Sequence, residues 1–284
     1  MHLNFSLIKN VLKIYIFNSR RGIIGVIILF IFIILGIAGI FYTPYDPNSI
    51  VGMPYQPPSS SFIMGTDYFG RDIFSRLLVG TTYTLLVALI ASSIIILIGV
   101  IIGSISGYYS GPLDEIFMRI VDVFMTIPSF FILIIASAYL PMNNFTAALV
   151  LGLLSWPVTS RVIRSQVLST KNELYIDAAR VIGVENYRII IRHIMPNILP
   201  LIFISFISDL IYSVHSITTL IFLGLGDIRQ PTWGETLYWA FATGALYRKA
   251  WWAFLFPLLF IILYSFGLIL INDSVSSTVR KKTI

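Results

Sequence analysis

Cysteine is absent from all 284 residues, which excludes disulfides, thiolate nucleophiles and cysteine metal sites. Charge is scarce: Asp, Glu, Lys and Arg make up 11% of the chain, against roughly 25% in an ordinary soluble domain. Histidine occurs only as His2, His193 and His215, scattered in sequence, so a His-based metal site is a poor expectation, and His215 reads first as a hydrogen-bonded packing residue. No Gly-Lys pair occurs, hence no G-x-x-x-x-G-K-S/T loop. The chain therefore has no P-loop of its own to bind ATP. Whatever energy it uses comes from a partner or an ion gradient.

What replaces charge is hydrocarbon. Apolar residues make up 57% of the chain and the mean hydropathy is +0.89. Several runs reach the ~20 residues that cross ~30 Å of lipid. Residues 23–42 form the cleanest, without a single charge, and further spans are read at about 82–107, 119–140, 145–161, 198–225 and 250–272. The expectation is an all-α polytopic membrane protein with six transmembrane helices. Long continuous runs, rather than short alternating ones, exclude an outer-membrane barrel. Residues 1–81 then hold the first helix and an external loop, 82–273 a core of five helices, and 274–284 a cytoplasmic tail. The first apolar run is too long for a cleavable signal peptide, and no A-x-A-like site follows it. Ahead of it, Leu3 to Ile16 mix apolar residues with Lys9 and Lys13. That pattern suits a helix on the inner lipid surface or one that meets a partner.

Basic residues set the orientation. With the N-terminus inside, fourteen of the nineteen Lys and Arg fall on inner segments. Only Arg71, Arg76, Arg229, Arg248 and Lys249 fall outside. The excess predicts both termini in the cytoplasm of a plasma-membrane protein. The net charge of +6 is thus a topology signal, and no basic patch interleaved with aromatics indicates nucleic acid.

Three polar features need separate readings. Gly99, Gly103 and Gly107 repeat every four residues, a stripe that lets a neighbouring helix approach closely. Asp114 and Glu115 sit after Gly111-Pro112, where carboxylates favour an exposed helix start and carry no catalysis. Asp209 lies deep in the fifth span, where a carboxylate costs at least ~2.5 kcal/mol on insertion scales. Ser205, Ser208, Tyr212, His215, Thr218 and Thr219 give that span a polar side. Ser205, Asp209, Tyr212 and His215 are candidates for a translocation pathway. The competing reading is internal hydrogen bonding that fixes helix packing.

Between the fourth and fifth spans lies Tyr175-Ile176-Asp177-Ala178-Ala179-Arg180-Val181-Ile182-Gly183, followed by Arg192-His193-Ile194-Met195-Pro196-Asn197. Two adjacent alanines offer close approach to a helix backbone, and Gly183 suits the left-handed turn that ends one. Residues 185–194 can form a second helix, which Pro196 limits. The segment resembles the EAA loop of ABC-importer permeases, the cytoplasmic helix pair that docks into an ATPase, with Asp177 where that family usually has Glu. The alternative is an amphipathic helix that packs only on its own protein.

The external segment has prolines at 44, 47, 54, 57 and 58, then Gly65-Thr66-Asp67-Tyr68-Phe69-Gly70-Arg71-Asp72-Ile73-Phe74-Ser75-Arg76. A helix is expected from Asp72, and the acidic spacing does not fit a calcium loop. This string is similar to that of the second (C-type) permease of dipeptide, oligopeptide and nickel importers. Ser155-Trp156-Pro157, Phe222-Leu223-Gly224-Leu225-Gly226, Pro231-Thr232-Trp233-Gly234 and Trp251-Trp252 continue the resemblance over about residues 20–275. After Asp209 the family tends to glycines, whereas Ile211 and Tyr212 stand here.

The resemblance implies a type I ABC-importer permease (MetI-like) fold supplying half of a translocation pathway. It implies as partners a second homologous permease, two cytoplasmic ATPase subunits that bind ATP and Mg, an external substrate-binding protein, and membrane lipid. No cofactor is expected in this chain. The loop at about 159–199 would carry docking, through Tyr175, Asp177, Ala178, Ala179 and Gly183, and residues 226–249 would meet the binding protein. Peptides, oligosaccharides and nickel all occur as cargo in that family. A gradient-driven secondary transporter or channel is the alternative, and it would show inverted repeats with paired broken helices, which the sequence lacks.

Overall fold

The computed structural model describes residues 19–283, so the expected surface helix at 3–16 lies outside the described residues. Ten α-helices follow in order: α1 Arg20–Phe41, α2 Ile73–Tyr109, α3 Gly111–Thr126, α4 Ser129–Tyr139, α5 Asn144–Thr170, α6 Leu174–Val181, α7 Asn186–Ile189, α8 Met195–Phe222, α9 Trp233–Ala242 and α10 Trp252–Thr283. Five continuous helical stretches are long and apolar enough to cross a membrane. The bent pair α3–α4 makes a sixth if counted as one span.

The expected straight span at 119–140 is broken, with α3 and α4 meeting at 71°. Pro128 disfavours helical geometry in the residue before it, and Ile127 is extended at φ −110°, ψ 124°. The boundaries at 161 and 198 also move. α5 continues to Thr170, and helix resumes at Asn186 and runs unbroken to Phe222. Pro196 does not stop it. A π-helical turn at Ile190–Ile194 comes immediately before α8, and Pro196 occupies its first turn, where a missing N–H is tolerated. Within the expected 159–199 loop, residues 171–185 are the segment that joins these two long helical stretches. At the far end α10 passes residue 272 and reaches Thr283.

Small residues bring the helices together, as lipid-embedded packing requires. The expected glycine stripe on α2 faces α5: a Cβ at Gly99 would lie 2.8 Å from Thr159 Cγ2, at Gly103 2.5 Å from Ser160 O, and at Gly107 2.8 Å from Arg164 O. Larger side chains at these positions would push α2 and α5 apart. α1 uses the same device, since a Cβ at Gly25 would meet Gly267 O on α10 at 2.6 Å and one at Gly39 would collide with Leu78 O on α2. Beside these contacts Phe32 stacks edge-on against Trp233, Phe260 and Tyr264.

Ion pairs tie α3 to α5. Arg164 donates to both oxygens of Asp114 at 2.6 Å, Ser106 adds a short bond to the same carboxylate, and Arg161 pairs with Asp122. Asp114 is thus an interhelical anchor rather than a freely solvated helix start. Glu115 is solvent-facing and pairs with Arg119 one turn on, at 2.6 Å.

Candidate functional site

At the end of the bundle carrying residues 171–185, α6 lies against the helices by one face. Ile176 and Ala179, three residues apart, share a cluster with Tyr108, Ile163, Val167, Ile189, Ile194 and Ile198. That spacing puts both on one side of the helix. Polar bonds fix the same contact. Tyr108 Oη donates to Asn186 Oδ1 at 2.8 Å, Asn197 Nδ2 donates to Tyr175 Oη at 2.8 Å, and Lys171 Nζ donates to Tyr108 O at 3.3 Å. Arg180 pairs with Asp177 at 2.9 Å and sits 5.5 Å from the Tyr108 ring centroid. α6 is thereby joined to α2, α5 and the α7–α8 stretch together.

Gly183 ends α6 as expected, at φ +81°. Its N–H donates to Arg180 O and that of Val184 to Ala179 O, both at 3.0 Å, which is the Schellman pairing of a helix C-terminus. Nothing lies within 4 Å of where its Cβ would be. The demand for glycine here is therefore conformational and not steric.

The opposite face of α6 is apolar and uncovered among the described residues. Leu174 is 86% exposed, Val181 87% and Ile182 79%. Ala178, also exposed, lies between them at i+4 from Leu174. Tyr175 and Asp177 stand exposed beside this patch. Ala179 does not join it: at 5% exposure it packs within this chain, so of the two adjacent alanines only Ala178 faces outward. A helix has one outward face, and adjacent residues stand about 100° apart on it. The sequence reading missed Leu174, Val181 and Ile182, although their i, i+7, i+8 spacing was an available signal.

A second polar place lies on α8. Ser208, Tyr212, His215 and Thr219 recur at steps of four, three and four residues and all are exposed, so they form one accessible stripe along the helix. Asn272 Nδ2 of α10 donates to Ser208 Oγ at 3.0 Å, and Ser265 Oγ of α10 pairs with His215 Nε2 at 3.0 Å. Asp209 borders the stripe on its α5 side. Both its carboxylate oxygens accept from Thr159 Oγ1 at 3.1 Å, and no basic side chain lies within ion-pair distance of it among the described residues. Of the four pathway candidates, Asp209, Tyr212 and His215 reach this accessible region. Ser205 is buried and does not.

The far end of the bundle is closed by residues 43–72 and α9. Asp67 accepts from the backbone N–H groups of Phe69 and Arg71 at 2.8 and 2.9 Å and from Arg71 Nε at 2.7 Å. Gly70 stands at φ +80°, and a Cβ there would collide with Gly52 O, so only glycine fits that turn. Asp72 caps α2 by accepting from Ser75 N and Oγ at 2.8 and 2.6 Å, as the sequence indicated. Arg76, 1% exposed, points across to Glu235 on α9, 0% exposed, and donates from Nη2 to both carboxylate oxygens at 2.7 Å. Its Nη1 donates to Pro47 O at 2.5 Å. Burial pushes the Glu235 carboxyl up from its ordinary range, and the Arg76 charge opposes that shift. The sequence reading did not pair Arg76 with Glu235. They stand 159 residues apart, and no local periodicity links them.

Residues 95–281 match the family model described as a binding-protein-dependent transport system inner membrane component. The oligopeptide transport system permease protein OppC of Bacillus subtilis is 31% identical, over 93% of this chain and 87% of that protein. The probable D,D-dipeptide transport system permease protein DdpC of Escherichia coli is 31% identical, over 93% and 89%. The dipeptide transport system permease protein DppC of Bacillus subtilis is 30% identical, over 93% and 83%.

Proposed function

The chain belongs to the family of binding-protein-dependent transport system inner membrane components, and on that premise we propose that it is one of two permease subunits in an ATP-driven importer of peptide-like solutes, receiving its driving force through α6. The observation that carries this reading is the two-faced nature of α6. One face is held on the bundle through Ile176 and Ala179, the Tyr175–Asn197 bond and Arg180 over the Tyr108 ring, while the other presents Leu174, Ala178, Val181 and Ile182 with nothing of the described chain over them. An exposed apolar patch on a helix outside the bundle marks a surface for another protein. A cytoplasmic ATPase that grips this face and moves as nucleotide closes it would shift α2, α5 and α8 as a rigid body. The relatives named for oligopeptides, D,D-dipeptides and dipeptides support a peptide-like cargo. The polar stripe of α8 supplies this subunit's share of the path.

In this scheme ATP and Mg are bound by the two ATPase subunits, and an external substrate-binding protein delivers cargo to the end closed by residues 43–72 and α9. The test is mixing: purified alone, the chain should release phosphate from ATP only at background, and adding the ATPase subunits should give a stable complex with turnover. Sustained hydrolysis by the chain alone, or no complex, overturns the assignment.

Orientation follows from the basic-residue excess, with residues 171–190 cytoplasmic and 50–70 external. The absence of cysteine makes this directly measurable. Asn172 and Ser59 are both exposed, at opposite ends of the bundle. Single cysteines there should react with an impermeant maleimide from opposite sides of sealed vesicles. Labelling from the same side contradicts the topology.

A further inference from the structure

We propose that Asp209 is the contact made by a positively charged amine of the cargo, such as a peptide's free N-terminus, as it passes along α8 toward the end of the bundle that carries α6. This rests on the permease reading above and adds the chemical class that the pathway selects.

Asp209 stands out as a carboxylate with no ion pair among the described residues. At one end of the bundle the charges stop at Arg76 and Glu235. At the other they stop at the level of Arg21–Asp273 and Arg161–Asp122. Asp209 lies close to the second level, since Thr159 stands two residues from Arg161 and Ser208 bonds Asn272 beside Asp273, and between there and Arg76 the long helices carry no Asp, Glu, Lys or Arg. Asp67, Asp114, Asp227 and Glu235 each have an arginine on their carboxylate, and Asp72 caps a helix start. Among the described residues Asp209 has only the Thr159 hydroxyl. One neutral donor shared between two oxygens leaves most of the carboxylate's acceptor capacity open. A half-buried carboxylate with no cation of its own carries a desolvation cost that a passing cation would relieve.

The surroundings favour an ammonium over a metal ion. No group of three or more His, Cys, Asp or Glu converges among the described residues, whereas a metal needs several such ligands. An ammonium needs one carboxylate and neutral acceptors for its remaining N–H groups. The Ser208 hydroxyl and the Tyr212 phenol stand on the adjoining accessible stripe within one turn of Asp209. Gly99 contributes from behind. A Cβ there would meet Thr159 at 2.8 Å, so the bare backbone of α2 is what lets Thr159 sit where it donates to Asp209.

Charge-selective thiol chemistry tests this in the assembled transporter, because the chain has no native cysteine. A Ser208→Cys variant, with the partner subunits free of reactive thiols, is treated with a cationic and with an anionic methanethiosulfonate of similar size. The cationic reagent should react faster by about tenfold once intrinsic reactivities are divided out. Adding Asp209→Asn should bring the ratio to about one. A Thr219→Cys variant, with its thiol about 16 Å along the helix at about 1.5 Å per residue, should show little change on the same substitution.

A second arm uses uptake of tri-alanine and of N-acetyl-tri-alanine with the binding protein unchanged. Asp209→Asn should lower the first relative to the second, and rescue by Asp209→Glu should restore the order. No reaction of the Ser208→Cys thiol, or a reagent ratio unmoved by Asp209→Asn, overturns the proposal. ATP-driven uptake by the unmodified assembly is scored separately, so the permease reading can stand while this inference falls.

Discussion

Replacing Ala178 by arginine should abolish ATP-driven uptake and reduce ATPase binding by about 100-fold or more, while the permease still inserts and folds. Ala178 sits on the uncovered apolar face of α6, between Leu174 and the Val181–Ile182 pair. A guanidinium there leaves the free chain almost undisturbed, since the side chain enters water. In a complex it would be buried among apolar groups without a counter-charge, which costs on the order of 3 kcal/mol or more. At about 1.4 kcal/mol per tenfold, that removes about two decades of affinity. Ala179→Arg should fail in a different way. Ala179 packs against Ile163, Val167 and Ile189, so the larger residue overfills the permease itself, lowering its yield and melting temperature before any partner is added. Co-purification with the ATPase, read beside the detergent melting curve of the permease alone, separates the two. Normal ATPase binding by Ala178→Arg would remove α6 from the docking surface.

Glu235→Ala should destabilise the chain by about 3–5 kcal/mol, because it leaves the buried Arg76 guanidinium without its carboxylate. Arg76 is 1% exposed and Glu235 0% exposed, so neither charge can turn to solvent. Arg76→Met combined with Glu235→Leu should recover most of this loss, since similar apolar volume replaces both charges. The bond from Arg76 to Pro47 O is then missing too, which leaves a residual cost of about 1 kcal/mol. Thermal unfolding of the single and double variants in one detergent measures both quantities. A single variant as stable as the parent would mean that this end of the bundle is held by something other than the ion pair.

The spans were legible in the sequence because lipid imposes a length and a composition on each one. Asp72 and Gly183 were legible because caps and left-handed turns are local. The α2 glycine stripe was legible too, since four-residue spacing marks one face of a helix whatever it packs on. The break at Pro128 needed a judgement about geometry that hydropathy does not contain. Pro196 misled for a related reason: it falls in the first turn after a π-helical turn, and such turns have no periodic signature. The docking insert was readable as a motif, but which alanine faces outward depends on the phase of an eight-residue helix. That phase is set by Ile176 and Ala179 packing on residues from α2, α5, α7 and α8. Arg76 and Glu235 meet only once the far end of the chain has folded back. Of the pathway candidates, Ser205 is buried in this chain, and as with Ala179 the face it occupies depends on helix phase, which composition does not give.

The most direct test of the central claim is uptake of labelled tri-alanine into vesicles holding this chain, the second permease and both ATPases, with the binding protein outside. Uptake should require ATP on the ATPase side. It should stop with Ala178→Arg and be unchanged when ion gradients across the membrane are collapsed. Uptake by this chain alone, driven by an imposed proton or sodium gradient without ATP, would contradict the account.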